Sequence, residues 1–272
     1  MPELPEAEIA RRQLQRWLGT TPFREARAID PAVVRTHLSS KPSDAVADPA
    51  GALAPLVGTA PTAFLRHGKR FGLVAGDRAV LVHLGMSGKL VQAAEKPPYA
   101  RLALVTDGDP VWLVDRRRFG CVSVVPAEEA DSVLREGHGP DALDEALSAD
   151  GLRAVLKGGR AVKVALMDQA LLAGIGNIQA AEILFRARVD PRAACKALTD
   201  EQVARIAAIT PAQLQEVIDG EDAGEIVYVT DGGPNVFAVY GREGEPCPSC
   251  ATPIETTTQG GRTTYWCPSC QR

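Results

Sequence analysis

The sequence predicts an α+β protein: an N-terminal helix leads into a β-sandwich, and a helical domain follows that closes on a cysteine hairpin. Three observations carry that expectation. Leu4, Ala7, Ala10, Leu14, Trp17 and Leu18 form one apolar stripe at helical spacing, stopped by Gly19. Short β-type runs then recur up to about residue 126. Beyond about residue 150 the apolar period turns helical, until paired cysteines end the chain.

Strands are expected at Ala63-Phe64-Leu65, Gly72-Leu73-Val74, Ala79 to Leu84, Leu102 to Val105 and Val111 to Val114. Gly76-Asp77 and Asp107-Gly108-Asp109-Pro110 punctuate them with hairpin chemistry, a spacing that suggests a sandwich or flattened barrel. Residues 39–58, rich in Ala, Pro, Ser and Asp, read as a loop or loosely helical insertion. Glu128 to Arg135 reads as a short helix, and Gly137-His138-Gly139-Pro140 is a break. An N-terminal domain is therefore placed at 1–130 and a linker at 131–149. Helices follow at Leu152 to Leu156, Val164 to Leu172, Ile178 to Ala187 and from Glu201, the last with Thr199 and Gln202 as a capping box. Thr210-Pro211 interrupts it as a kink or a new cap. A helical domain at 150–225 and a C-terminal segment at 226–272, with strand character at Ile226 to Val229, complete the chain.

At 272 residues the chain allows two domains of ordinary size. Hydrophobic content of 45% and charged content of 24% are those of a soluble globular protein. No apolar run is long enough to span a bilayer and no secretory pattern opens the sequence, so a cytoplasmic protein without a membrane partner is expected. The net charge of −4 argues mildly against nucleic acid, but binding responds to the local field. Basic residues cluster at Arg66-His67-Gly68-Lys69-Arg70 and Arg116-Arg117-Arg118, and acidic ones at Glu128-Glu129 and between Asp219 and Glu225. Composition leaves a DNA groove open.

Of six cysteines, Cys121 and Cys195 stand alone. Cys247-Pro248-Ser249-Cys250 and Cys267-Pro268-Ser269-Cys270 are two C-x-x-C knuckles with residues 251–266 between them, the spacing of a four-thiolate zinc site. Four protein ligands leave no open position, so this zinc is structural. Disulfides or a redox pair are the weaker readings in a chain without a secretory signal. Gln259-Gly260-Gly261-Arg262 reads as the tip of the hairpin.

The first residues, Met1-Pro2-Glu3-Leu4-Pro5-Glu6, admit two readings. Proline and acidic residues suit the first turn of a helix. Alternatively, aminopeptidases remove Met1 ahead of a small residue and leave Pro2 as a free secondary amine, with an α-amino pKa near ~7.7–8.0 that keeps an appreciable fraction nucleophilic. Its adduct with an aldehyde is a cationic iminium, an electron sink, and Glu3 and Glu6 flank it on one helix face. Gly174-Ile175-Gly176-Asn177 likewise reads either as a phosphate-binding helix start or as a plain turn with an asparagine cap.

Taken with the strings His83-Leu84-Gly85-Met86-Ser87-Gly88, Asp115-Arg116-Arg117-Arg118-Phe119-Gly120 and Arg66 to Phe71, these segments resemble, in order, the formamidopyrimidine-DNA glycosylase and endonuclease VIII family. The resemblance implies a bifunctional DNA glycosylase and lyase acting on damaged double-stranded DNA, as a monomer. It assigns nucleophilic attack to Pro2, ring-opening assistance to Glu3 and positioning to Glu6. Lys69 takes a phosphate-binding and proton-donor role beside the lesion, and Arg262 a phosphate contact with a part in the second elimination. An extruded base leaves a hole that must be filled, and Met86, Arg117 and Phe119 match the residues that fill it. The run from Leu166-Met167-Asp168-Gln169 to Phe185-Arg186-Ala187 resembles the helix–two-turns–helix element in which Asn177 binds the DNA backbone, with Lys163 as a weaker phosphate candidate. Two departures stand out: Gln179 where the family usually has an aromatic, and Arg116 where it often has proline. The stretch Thr230 to Phe237 looks shorter than the loop that folds over the base in the guanine-specific branch. Oxidised purines are the first expectation; oxidised pyrimidines, abasic sites or an inactive DNA-binding scaffold are the alternatives. A zinc-ribbon transcription factor fits the tail but leaves the first hundred and fifty residues unexplained.

Overall fold

The computed structural model describes residues 2–38, 41–143, 147–221 and 235–272. The expected strand at Ile226 to Val229 and the stretch Thr230 to Pro234 lie outside the described residues. The chain divides between Glu136 and Gly137 into two compact units.

The first unit opens with α1 (Leu4–Leu18). Pro2 precedes the helix; it is Pro5 that occupies the first turn, where its fixed φ suits the helix and its missing N–H is not needed. Leu4, Ala7, Ala10, Leu14 and Leu18 are all at most 1% exposed, so the apolar stripe is the buried face. Against it stand two four-stranded antiparallel sheets. One runs β1 (Glu25–Ala28), β6 (Ala100–Val105), β7 (Val111–Val114), β5 (Lys89–Gln92); the other β2 (Pro61–His67), β3 (Arg70–Ala75), β4 (Arg78–His83), β8 (Cys121–Pro126). Leu73, Val80 and Val82 of the second sheet face Leu90, Leu102 and Leu113 of the first across one apolar layer that also takes Leu14. Each such side chain contributes roughly 1.5–3 kcal/mol on burial. This is the expected sandwich.

The chain changes sheet twice at one end. It leaves β4 for β5 through residues 84–88 and returns from β7 to β8 through residues 115–120. Because His83 pairs with Cys121 and Lys89 with Val114, the two connections run side by side. The 39–58 segment contains α2 (Pro49–Leu53), capped by Asp48, and 3₁₀ turns, and it inserts Leu53 and Leu56 into the core. α3 (Ala130–Arg135) closes the unit.

The second unit carries α4 (Ala149–Val155), α5 (Val162–Leu166), α6 (Asn177–Arg186), α7 (Asp200–Glu221) and the hairpin β9 (Glu255–Gln259), β10 (Arg262–Trp266). α5 stops at Leu166, short of the expected Leu172, because the Asp168 carboxylate accepts the Ala170 amide and turns the chain. The Thr199–Gln202 capping box forms with both reciprocal bonds, at 2.9 and 3.2 Å. α7 runs through Pro211 as one helix, so Thr210-Pro211 does not cap a new one.

Candidate catalytic terminus and nucleic-acid interface

At the start of α1, Pro2 is buried and Glu3 is only 1% exposed. The Glu3 amide donates to Glu6 Oε2 at 2.7 Å, one arm of a capping box that locks the Glu6 carboxylate back toward the terminus. One turn on, Glu8 accepts from Arg11 Nη2 (2.8 Å), Arg12 Nε (2.9 Å) and Arg66 Nε (3.1 Å). Burial pushes the Glu8 carboxyl up, but the Arg11 hydrogen bond and charge, with Arg12 and Arg66, outweigh it and hold it below the ordinary carboxylate value. Arg66 also donates to the Gly68 carbonyl at 3.2 Å, inside the turn that presents Lys69. On the other side, Arg70 Nη1 caps α3 through the carbonyls of Glu136 (2.9 Å), Val133 and Leu134. The half-buried Lys69 thus stands on a hairpin tip gripped by both helices. Through Arg66, the Glu8 ion pairs join this hairpin to α1, the helix that Pro2 and Glu3 precede and that carries Glu6.

Met86 is half-buried on the 84–88 connection, and Arg117 and Phe119 lie on 115–120. The Arg117 guanidinium sits 5.0 Å from the Phe119 ring centroid, a cation–π contact. Asp115 is wholly buried at the root of this loop; it accepts from Ser87 Oγ (2.5 Å), the Gly120 amide (2.6 Å) and the Arg117 amide (3.0 Å). Beside the loop is a cavity of about 230 Å³, lined by Arg35, Arg101, Arg117, Arg118 and the single acid Asp30. Arg116, in the place where proline is expected, is exposed.

In the second unit Asn177 takes the first position of α6, after Gly176. Its side chain is 7% exposed and already engaged: Nδ2 donates to the Thr263 carbonyl (3.1 Å) and Oδ1 accepts from Lys163 Nζ (2.5 Å). Lys163, wholly buried, also donates to Thr264 Oγ1 at 2.9 Å. Both residues therefore hold the strand that carries the exposed Arg262. Gln179 is buried at 1% exposure, and its Oε1 accepts from Gln213 Nε2 of α7 at 3.3 Å, so an amide pair fills the place of an aromatic ring.

The four sulfurs of Cys247, Cys250, Cys267 and Cys270 lie within 4.8 Å of one another, with Cys247–Cys270 at 3.9 Å and Cys250–Cys267 at 3.4 Å. Tetrahedral zinc with Zn–S bonds of about 2.3 Å needs sulfurs about 3.8 Å apart, so the set fits one zinc ion. Among themselves the thiols compete for protons: hydrogen bonds from Thr252 lower Cys250 to about 6, while burial and its neighbouring sulfurs push Cys270 up to about 12. A divalent ion bound by four thiolates removes that conflict.

Sequence reasoning passed over several residues that organise these sites. Glu182 (3% exposed) accepts the amides of Ala238, Val239 and Tyr240 at 2.8–3.0 Å, anchoring the segment before the zinc site on α6. Its signal was available: a lone carboxylate inside the apolar run Ala180 to Phe185. Asp115, a lone acid ending the apolar strand Val111 to Val114, gives the same kind of hint. Glu8 and Arg66 are 58 residues apart, and nothing local links them.

The chain thus combines a β-sandwich led by a proline–glutamate helix start with a helical unit that ends in a four-cysteine hairpin suited to zinc. The family model for the formamidopyrimidine-DNA glycosylase N-terminal domain matches residues 1–122, that for its H2TH domain residues 138–227, and a zinc finger found in FPG and IleRS residues 244–272. The chain belongs to the formamidopyrimidine-DNA glycosylase family. It is 36% identical over 288 residues to the formamidopyrimidine-DNA glycosylase of Gluconobacter oxydans, covering 100% of both chains. Among solved structures it is similar to the MutM (Fpg) protein of Thermus thermophilus, with 34% identity, a TM-score of 0.80 and coverage of 99% and 98% of the two chains. It is also similar to Lactococcus lactis Fpg in complex with DNA containing FAPY-dG, with 26% identity, a TM-score of 0.84 and coverage of 99% and 100%.

Proposed function

We propose that this chain excises oxidised bases, purines first, from double-stranded DNA and then cuts the strand on both sides of the sugar. The observation that carries the reading is the Pro2–Glu3–Glu6 arrangement: a proline next to a buried carboxyl, with a second carboxylate locked back on the Glu3 amide at 2.7 Å. The FAPY-dG in the Lactococcus lactis complex supports the choice of lesion.

With Met1 removed, the Pro2 nitrogen attacks C1′ of the damaged nucleotide, and the base leaves with the glycosidic electron pair. Glu3 delivers a proton to O4′ as the C1′–O4′ bond breaks, and the nitrogen lone pair forms the iminium with loss of the amine proton. The iminium acidifies C2′; loss of that proton breaks the C3′–O3′ bond, and loss of the C4′ proton breaks the C5′–O5′ bond. Water then releases the sugar fragment and restores the amine. Glu6 holds the terminus in place, Lys69 and Arg262 bind phosphates beside the lesion, and Met86, Arg117 and Phe119 fill the space left by the extruded base. Asn177 and Lys163 act through the hairpin that they support. Zinc, held by Cys247, Cys250, Cys267 and Cys270, fixes that hairpin and offers no open coordination position.

Borohydride tests the reading. Hydride addition to the iminium should fix the protein to lesion-containing DNA in a preparation whose N-terminus, by mass, begins at Pro2, and Pro2→Ala should remove the adduct. A panel of oxidised purines, oxidised pyrimidines and abasic sites, each opposite each base, ranks the substrates. A trimmed, zinc-loaded protein that leaves them all intact sinks the proposal in favour of a DNA-binding scaffold.

A further inference from the structure

On the reading that this chain works on damaged duplexes, we infer that Asp115 is a positioning residue that fastens the 84–88 and 115–120 connections into a single wedge. Met86, Arg117 and Phe119 then enter or leave a duplex as one body. The two connections come from different strand pairs and need a reason to stay together. Asp115 provides one: Oδ1 takes the Ser87 hydroxyl of the first connection (2.5 Å) and the Arg117 amide of the second (3.0 Å), while Oδ2 takes the Gly120 amide (2.6 Å). A carboxylate at 0% exposure makes these charge-assisted bonds without competition from water.

Packing gives a second, independent reason. Gly85 has φ +65°, and a Cβ there would lie 2.5 Å from the Phe119 carbonyl carbon and the Gly120 nitrogen. A Cβ on Gly120 would lie 3.3 Å from the carbonyl oxygens of both His83 and Leu84. The backbones touch with no room for a methyl group, so a displacement of the Met86 side drags the Phe119 side with it. The Arg117 guanidinium, 5.0 Å from the Phe119 ring centroid, ties the remaining pair.

Fill and orphan-base reading are therefore one event rather than two. Ser87→Ala is the sharper probe, because it removes only the bonds between connections, from Ser87 Oγ to Asp115 and from the Arg117 amide to Ser87 Oγ (3.2 Å), and leaves both amides on Asp115; Asp115→Asn is the second variant. Three readouts separate positioning from plain stability. The first is single-turnover excision of an oxidised guanine opposite cytosine and opposite adenine. The second is cleavage of a single-stranded abasic oligonucleotide, which has no orphaned partner base. The third is 2-aminopurine fluorescence opposite a tetrahydrofuran site in a duplex, which needs no chemistry.

For Ser87→Ala we expect duplex excision and the cytosine-over-adenine preference each to fall about tenfold, the scale of one lost charge-assisted bond. The 2-aminopurine change should weaken in step, and single-strand cleavage should stay at the wild-type rate. In a Met86→Ala background the same substitution should cost almost nothing more, since the side chain that the bond positions is already gone. Folded Ser87→Ala and Asp115→Asn proteins with wild-type duplex rates and base preference overturn the wedge. So does an equal loss on single strands. If the wild type itself cuts neither substrate, the functional reading fails, and the fluorescence arm alone judges the wedge: identical signals from wild type and Ser87→Ala overturn it.

Discussion

Lys163 Nζ donates to Asn177 Oδ1 at 2.5 Å, and the pair reaches β10 together through Thr263 and Thr264. A lysine expected at a phosphate is thus sealed from solvent, one residue away from the strand position that carries Arg262. Salt dependence distinguishes a phosphate contact from a support. Arg262→Ala should reduce the slope of log K against log salt by about 0.9, the release of one counterion. Lys163→Met should leave that slope unchanged and instead lower the unfolding free energy by about 1–3 kcal/mol, because Asn177 and Thr264 lose their donor. Fluorescence anisotropy over a salt series, with urea denaturation beside it, measures both.

Glu8 should make stability depend on acid. Its folded pKa lies below the ordinary carboxyl value of 4.5, so it stabilises the fold fully above that value and loses the contribution as pH falls through the lower folded pKa. Glu8→Gln should therefore be less stable than wild type by about 2 kcal/mol near neutrality, with the gap closing below about pH 4.5. Denaturant midpoints across about pH 3–7 give the answer; a gap that widens in acid would contradict the assignment.

Glu182→Ala leaves three backbone amides without their acceptor. A cost of about 3 kcal/mol or more is expected, and hydrogen exchange at Ala238, Val239 and Tyr240 should quicken. Protection at the Glu3 amide, in the other unit, should be unaffected.

Zinc removal should unfold the hairpin locally. Trp266, 3% exposed and stacked by Arg192 at 4.6 Å, ends β10 beside Cys267. Strong chelation should red-shift Trp266 emission and abolish duplex binding together. Trp266→Phe identifies the signal among the other tryptophans. Emission that stays blue after the metal is gone would show that packing alone holds the hairpin.

What was legible in the sequence was local. The α1 stripe, the Thr199–Gln202 box and the cysteine knuckles each complete their pattern within a few residues or one hairpin, and each formed. β1 was not legible: Glu25-Ala26-Arg27-Ala28 has no bulky apolar side chain, and it is a strand because β6 offers it an edge. β5 is four residues long and takes its identity from β7. Pro211 starts no new helix, since α7 buries Ile206, Thr210, Leu214 and Ile218 on one face and continues past the missing amide. At the site, Pro2, Lys69 and Arg262 stood out by motif. Glu8 and Arg66 pair across 58 residues, which no local pattern spans, while Asp115 and Glu182 left only the hint of a lone acid in or beside an apolar run.

The double change of sheet between β4 and β5, and between β7 and β8, also limits how this protein could be re-engineered. Grafting a single connection from a relative would set foreign backbone against native backbone at a seam with no slack. A chimera should work only when residues 84–88 and 115–120 are transplanted as a matched set.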